Sequence, residues 1–170
     1  MRIAYADPPY PNEARKHYHL HPDYAGEVDH GDLIARLVAD YPDGWALSTK
    51  SPSLRDLLPL CPPDVRVAAW VKPFCSFKPN VNPAYAWEPV IWCGSRKRSR
   101  EQLTVRDWVS ANITLQRGTH GAKPSAFCQW LFALMGLEAG DTLDDLYPGS
   151  GAVGDAWMRY QASMFVEVPS

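Results

Sequence analysis

The sequence of 170 residues contains no hydrophobic run long enough to cross a membrane. A transmembrane helix needs roughly 20 consecutive apolar residues, and the segment that starts at Met1 enters a strand-like pattern without the features of a signal peptide. Hydrophobic residues make up 46% of the chain and charged residues 21%, which is typical of a globular protein in solution. We therefore expect a cytoplasmic protein that has no membrane partner.

Paired cysteines and an excess of positive charge are also missing. The four cysteines form no C-x-x-C pair, so their spacing predicts neither a zinc ribbon nor a dithiol redox site, and we predict no metal site. The formal net charge is −2, which excludes the broad basic surface of a protein that grips nucleic acid by charge alone. Any contact with nucleic acid must therefore be local.

The chain also lacks internal repeats, low-complexity tracts and linkers, which predicts a single domain over residues 1–170. Short apolar runs alternate with helical patterns, and this alternation is typical of a three-layer α/β fold with a mostly parallel sheet. The predicted strands cover residues 2–6, 44–49, 65–71, 89–93, 142–146 and 163–168, and the predicted helices residues 31–41, 53–60, 123–135 and 152–160.

A glycine-rich motif lies near the end of the chain. The segment Gly149-Ser150-Gly151-Ala152-Val153-Gly154 has the spacing G-x-G-x-x-G and stands between a predicted strand and a predicted helix. Glycines let the backbone approach a cofactor closely, and Glu167, at the end of the next predicted strand, could accept hydrogen bonds from ribose hydroxyls. The motif predicts a site for an adenosine-containing cofactor; a dinucleotide site and a tight turn without a ligand are the alternatives.

A second motif, Asp7-Pro8-Pro9-Tyr10, directly follows the first predicted strand. Ligands of open α/β sheets collect outside the carboxyl ends of the strands, so this segment and the glycine loop are expected to line one pocket. A carboxylate and a rigid backbone carbonyl can accept hydrogen bonds from an amino group, and a tyrosine ring can stack on a base. A proline-rich turn capped by Asp7 is the structural alternative.

Together the two motifs resemble those of the amino-methyltransferases that modify adenine-N6 or cytosine-N4. In that family a D-P-P-Y or S-P-P-Y segment and an F-x-G-x-G loop line one pocket, and in one subgroup the catalytic motif comes first, as it does here. The segment 120–124 is similar to the family's Lys-Pro segment, and 145–151 to its cofactor loop, with Tyr147 in place of Phe. The segments 70–73 and 87–91 are similar to parts of the messenger-RNA adenosine methyltransferases, and no inserted target-recognition domain is found.

The resemblance implies a permuted Rossmann-like methyltransferase fold, S-adenosylmethionine as the cofactor and a base extruded from its stack as the target. The implied catalytic residues are Asp7, Pro8, Pro9 and Tyr10. The implied cofactor-binding residues are Ala6, Asp7, Lys123, Pro124, Asp145, Tyr147, Gly149, Ser150, Gly151 and Glu167. Adenine-N6 in DNA is the favoured target; cytosine-N4, adenine in RNA, a nucleotide-binding protein and a catalytically silent subunit remain alternatives.

Two weaker patterns suggest contacts with the DNA or RNA substrate. His17 and Tyr18 lie in a segment that we expect to fold over the substrate, although alternating histidines there would also suit a divalent metal if a second ligand cluster existed. Lys72 is a further candidate contact with the substrate. The basic run Arg96, Lys97, Arg98 and Arg100 is a candidate phosphate contact, with a solvated turn as the alternative. The small size of the chain leaves a homodimer or a specificity-giving partner subunit open.

Overall fold

A six-stranded sheet is the centre of the fold. The computed structural model describes residues 1–11, 26–75, 79–114 and 122–166, of which residues 165 and 166 are described by their backbone alone. The strands in these ranges are β1 (Arg2–Ala6), β2 (Gly44–Ser48), β3 (Arg66–Val71), β4 (Trp87–Gly94), β5 (Trp108–Ser110) and β6 (Thr142–Asp145). The helices are α1 (His30–Asp40), α2 (Leu54–Leu57), α3 (Ser125–Met135) and α4 (Ala152–Val166), and 3-10 turns flank α2.

The sheet order is β5-β3-β4-β2-β1-β6, and β4 runs opposite to the other five described strands. The first strand therefore lies beside the last one, with Tyr5 in register with Ala46 of β2 on one side and with Asp145 of β6 on the other. We call the side where β1, β3 and β6 end the carboxyl edge and the opposite side the amino edge. Because β4 is antiparallel, it begins at the carboxyl edge.

Helices cover both faces of the sheet, which confirms the predicted three-layer α/β fold with a mostly parallel sheet. On one face, α3 and α4 supply Phe127, Phe132 and Trp157 to a core that also contains Tyr5 and Trp70 from the sheet. On the other face, α1 and the segment 51–60 pack against the sheet, with a core of Leu33, Ile34, Leu37, Trp45, Leu47 and Leu57. No helix in the described ranges is both long enough and apolar enough to span a membrane.

Local sequence explains where the helices begin and end. Asp29 caps α1, since its Oδ1 accepts hydrogen bonds from the backbone N–H groups of Gly31 at 2.8 Å and Asp32 at 3.1 Å. Pro124 directly precedes α3, and Gly136 ends that helix with φ of +66°, a conformation that glycine adopts without strain. These helices lie where the periodicity predicts them.

The strand predicted over residues 163–168 is wrong, because α4 continues through Val166. Ala156 and Trp157 bury one side of this helix against the core, and a short apolar run after a helix does not by its pattern distinguish a new strand from a longer helix. The strand that was to hold Glu167 therefore does not form at 163–166, and Glu167 itself lies outside the described residues. In addition, the sequence pattern missed the short strand β5.

Candidate active site

The carboxyl edge brings several charged side chains together. Asp7 directly follows β1, Asp145 is the last residue of β6, Lys72 directly follows β3, and Glu88 is the second residue of the antiparallel β4. Lys123, two residues before α3, contacts two of these side chains. These five residues come from distant parts of the sequence, and the mixed strand directions place them at one edge.

Four of these groups form a continuous chain of ion pairs. The Nζ of Lys123 lies 2.9 Å from Oδ2 of Asp7 and 2.6 Å from Oε1 of Glu88. The Nζ of Lys72 lies 2.6 Å from the other Glu88 oxygen, Oε2. Two carboxylates and two ammonium groups thus alternate in the order Asp7, Lys123, Glu88, Lys72. We call these four residues the edge cluster.

Trp70 forms the floor of the edge cluster. It is in register with Glu88 across the β3–β4 pair, and the ammonium groups of Lys72 and Lys123 lie 4.6 Å and 5.3 Å from its ring centroid. Cations are attracted to the face of an aromatic ring. The indole N–H donates a 2.8 Å hydrogen bond to the carbonyl of Ala111, which fixes the ring.

Burial and charge shift the pKa values within the edge cluster in different directions. Burial alone would raise the pKa of Glu88, but Lys123 and Lys72 lower it to about 2. Burial opposes the charged form of Lys123, yet the charges of Asp7 and Glu88 raise its pKa well above the usual value. For Asp7, burial and the charge of Glu88 outweigh Lys123, so its pKa is raised. Asp7 is also the cluster's most exposed side chain, at 22%.

The rest of the first motif lies next to the edge cluster. Pro8 is buried, whereas Pro9 and Tyr10 are partly exposed. Burial raises the pKa of the Tyr10 hydroxyl well above its ordinary value; Lys123 lowers it, and the charges of Glu88 and Asp7 raise it further. These electrostatic effects require Tyr10 to be close to the cluster. The structure therefore brings Ala6, Asp7, Pro8, Pro9, Tyr10, Lys72, Lys123 and Pro124 into one region.

The glycine loop lies beside this region, after the neighbouring strand. Gly149 and Gly151 have φ of +46° and +75°, and Gly151 donates a 2.6 Å hydrogen bond to the carbonyl of Pro148, which closes the turn before α4. A Cβ added at Gly151 would point into open space, with no heavy atom within 4 Å. The loop therefore exposes a stretch of backbone that a bound molecule can approach closely.

Asp145 connects the glycine loop to Asp7. Its Oδ1 accepts a hydrogen bond from the backbone N–H of Tyr147 at 3.3 Å, so it also supports the start of the loop. Burial raises the pKa of Asp145 to about 6, against the hydrogen bond from Tyr147, and the charge of Asp7 contributes to the increase. A carboxyl group with a pKa near neutrality, next to a second carboxylate at the end of the neighbouring strand, is a candidate for a functional role.

The basic run is not brought to this region. Gly94 ends β4 opposite Gly44, so the residues after it lie at the amino edge. Arg96 there pairs with both oxygens of Asp141 at 2.9 Å and donates to the carbonyl of Gly136 at 3.1 Å, while Arg98 donates to the carbonyls of Leu103 and Ala133. Lys97 lies between these two arginines in the chain. The structure therefore separates Arg96, Lys97 and Arg98 from Asp7 by the length of the strands.

Three predicted residues lie outside the described ranges, and one residue of the site was not predicted. His17 and Tyr18 lie outside the described residues, as does Glu167, and nothing in the structure bears on them. Glu88, in contrast, is a central residue of the edge cluster to which the sequence analysis gave no role. The available signal was a single carboxylate inside the apolar strand Trp87-Glu88-Pro89-Val90-Ile91, because an acidic residue is almost never fully buried unless it is paired.

Neither a protein-family model nor a curated protein matches the sequence. Among solved structures, the chain is similar to M1.HpyAVI in its complex with SAM, with a TM-score of 0.62 and 16% sequence identity over 93% of this chain and 78% of that one. The structure of M1.HpyAVI alone gives a TM-score of 0.58 and 17% identity over 94% of this chain and 76% of that one. The chain and M1.HpyAVI thus share their fold, the Rossmann-like three-layer arrangement described above.

Proposed function

We propose that this protein transfers a methyl group from S-adenosylmethionine to the exocyclic amino group of a nucleobase, with adenine-N6 in DNA as the favoured target. The observation that carries the proposal is the placement of the partly exposed Asp7, with Pro8, Pro9 and Tyr10 after it, beside an open glycine turn. The shared fold with M1.HpyAVI, which has been solved in complex with SAM, supports it. The resemblance of both motifs to the amino-methyltransferases supports the choice of target.

Asp7 suits the activation of an aromatic amino group. The lone pair of such a nitrogen is delocalised into the ring, and hydrogen bonds from its protons to fixed acceptors favour the tetrahedral, nucleophilic form. Asp7 supplies a carboxylate, and Pro8 supplies a carbonyl on a backbone whose φ is fixed by its ring. The ring of Tyr10 offers a flat face on which the base can stack.

The glycine loop is the part of the site that fits the cofactor. Gly149, Ser150 and Gly151 present exposed backbone, while Asp145 and Tyr147 line the strand end between the loop and Asp7. When bound, S-adenosylmethionine supplies an electrophilic methyl group on a sulfonium centre. Lys123 and Pro124 close the same region from the start of α3, and Glu167 remains a predicted ribose contact.

A base inside a duplex cannot present its amino group to this edge, so the target is extruded or taken from a single strand. Lys72, at the end of the edge cluster, remains our candidate for a contact with the substrate. The preference for adenine over cytosine, and for DNA over RNA, rests on the resemblance of the Asp-first motif. A cytoplasmic location and a homodimer or partner subunit that supplies sequence specificity complete the proposal.

Cofactor binding is tested by thermal denaturation with S-adenosylmethionine or NAD. A ligand that binds only the folded state stabilises it by about 2.7 kcal/mol at a hundredfold excess over its dissociation constant. We expect S-adenosylmethionine to raise the Tm and NAD to leave it unchanged. Gly151→Val fills the space in front of the loop and also strains a backbone with φ of +75°, so it should abolish the increase. Gly140→Val, in open space before β6 and without a positive φ, should retain it. An increase in the Tm with NAD alone would indicate a dinucleotide-binding protein instead of a methyltransferase.

Methyl transfer is tested with trideuteromethyl-labelled S-adenosylmethionine. The protein is incubated separately with duplex DNA, single-stranded DNA and RNA, and the digested nucleosides are identified by mass spectrometry. The proposal predicts labelled N6-methyladenine in DNA; label on N4-methylcytosine or only in RNA would change the target. Binding of S-adenosylmethionine without transfer to any of the three substrates would indicate a catalytically silent subunit.

A further inference from the structure

The two carboxylate oxygens of Glu88 contact two different lysines. Oε1 lies 2.6 Å from Lys123 and Oε2 lies 2.6 Å from Lys72, and the Glu88 side chain is only 8% exposed. A buried carboxylate that makes two charge-assisted hydrogen bonds has a fixed position. Glu88 is therefore a rigid anchor from which Lys123 extends toward Asp7.

The ammonium group of Lys123 lies closer to one of its two carboxylate partners than to the other. Its Nζ is closer to Glu88, at 2.6 Å, than to Asp7, at 2.9 Å, and it also lies over the rings of Trp70 and Phe127 at 5.3 Å and 5.6 Å from their centroids. An ammonium group has three N–H donors, so it can serve both carboxylates at once. Without Glu88, the same ammonium group would have Asp7 as its only carboxylate partner in the edge cluster.

The contact between Lys123 and Asp7 affects the proposed role of Asp7 as an acceptor for the target amino group. An ionised carboxylate can accept about four hydrogen bonds, and a strong ammonium partner competes with an incoming amino group for them. Lys123 contacts Oδ2 of Asp7 at the long end of the range for a charged pair, which leaves acceptor capacity on the partly exposed carboxylate.

We propose that Glu88 is a positioning residue for methyl transfer, which holds Lys123 between two carboxylates so that the Asp7 carboxylate keeps acceptor capacity for the target amino group. This role rests on the proposed function of Asp7. Glu88 would act through Lys123, without touching the substrate. Lys72 completes the arrangement by occupying the second Glu88 oxygen and balancing its charge.

The charges around Asp7 give this role a signature in the pH profile. The groups that act on the Asp7 carboxyl are Lys123, Glu88 and Lys72, and those that respond to its charge are Tyr5, Tyr10 and Asp145. Glu88 raises the pKa of Asp7, whereas Lys72 lowers it. Neutralising Glu88 should therefore lower the pKa of Asp7, and neutralising Lys72 should raise it.

The test compares Glu88→Gln, Lys72→Gln and the double variant with the wild type. For Glu88→Gln we expect the acid limb of the kcat profile to move to lower pH and the plateau to fall by about tenfold, less than the hundredfold typical of losing a direct transition-state contact. For Lys72→Gln the limb should move to higher pH. A merely structural role would lower the Tm of both variants without moving the limbs in opposite directions.

The double variant and a titration without substrate complete the test. Removing both charges restores the charge balance of the cluster, so its Tm should return toward the wild type while its kcat stays low. The titration of the Asp7 carboxyl, followed by ¹³C NMR and assigned with Asp7→Asn, should show the same shift in the Glu88→Gln protein alone. An unmoved titration in a folded Glu88→Gln protein would overturn the positioning role, whereas absent transfer by the wild type would overturn the proposed function instead.

Discussion

The carboxyl edge and the amino edge of the sheet each hold an aspartate that contacts cations, but the pKa values of the two aspartates are shifted in opposite directions. At the amino edge, Asp141 accepts hydrogen bonds from the Met1 ammonium group, from Arg96 and from the backbone N–H of Glu138. Burial opposes its ionisation, but these bonds outweigh that effect and lower its pKa. At the carboxyl edge, Asp7 has one cation within contact distance, is more exposed and has a raised pKa.

The difference separates an aspartate that holds the fold together from one that is available for chemistry. Asp141 has only 4% of its side chain exposed and its oxygens are occupied by cations and a backbone donor, so it has little capacity for a ligand. Asp7 keeps part of its side chain exposed. Its neighbouring lysines only partly offset the effect of burial, which opposes ionisation of its carboxyl group. Groups whose environment opposes their charged form, at the end of a central strand, are candidates for function.

The largest expected effect is the loss of methyl transfer in Asp7→Ala. The rate should fall by on the order of a hundredfold or more, because one preorganised contact that strengthens in the transition state is removed. Binding of S-adenosylmethionine, measured by calorimetry, should persist. Asp107→Ala is the matched control, since Asp107 is exposed directly before the outermost strand β5, which three strands separate from β1. This variant should transfer at the wild-type rate. Wild-type turnover by Asp7→Ala would contradict the assignment of the carboxyl edge as the active site.

The reverse pattern is expected for Asp141→Ala. Removing the buried Asp141 carboxylate takes away the acceptor that the Met1 ammonium group and Arg96 share, and hydrogen bonds to a charged group contribute about 1.5–3 kcal/mol to the free energy of unfolding. Urea denaturation measures this loss. Below its Tm the variant should transfer methyl groups as the wild type does. A normal stability together with a defect in transfer would show that the amino edge takes part in the reaction.

A smaller effect is expected in the pH dependence of stability. The folded pKa of Asp145, about 6, lies above the ordinary value of 3.8, so its contribution to stability is present below the ordinary value and is lost as the pH rises through the folded one. Asp145→Asn should therefore gain stability relative to the wild type between about pH 4 and pH 7. Asp141→Asn should show the opposite trend, because the folded pKa of Asp141 is lowered. If the stability of both variants, relative to the wild type, changed with pH in the same direction, the opposite pKa shifts of Asp145 and Asp141 would be refuted.

The smallest effect is expected at Lys97. This residue belongs to the basic run at the amino edge, on the side of the sheet away from Asp7. We expect Lys97→Ala to leave both the transfer rate and its dependence on salt concentration unchanged, because only side chains that contact phosphates contribute to counterion release. A flatter salt dependence in this variant would show that nucleic acid reaches the amino edge.

Sequence reasoning predicted the parts of the site that depend on neighbours along the chain. The strand that ends at Ala6 and the turn that contains Gly149 and Gly151 are local patterns, and the structure places both at the carboxyl edge. The role of Glu88 is different, because it depends on Lys123, which is 35 positions away. A pairing of this kind requires the strand order, which the sequence pattern did not provide.

Charge patterns were the least informative part of the sequence. Arg96 belongs to the densest basic run, which suggests a phosphate contact, but its partner Asp141 lies 45 positions further along the chain. The strand predicted over residues 163–168 failed for a related reason. Its apolar residues suit a strand locally, whereas packing of Ala156 and Trp157 keeps the chain in a helix as far as Val166.

The central claim is that the carboxyl edge holds the cofactor, and amide chemical-shift mapping by NMR tests it most directly. On titration with S-adenosylmethionine, we expect the largest shifts at the backbone amides of Ala6, Asp7 and Tyr147 and at residues 149–152. The amides of residues 95–98 and of Asp141 should not move. Shifts concentrated at the amino edge, or none at saturating S-adenosylmethionine, would contradict the account.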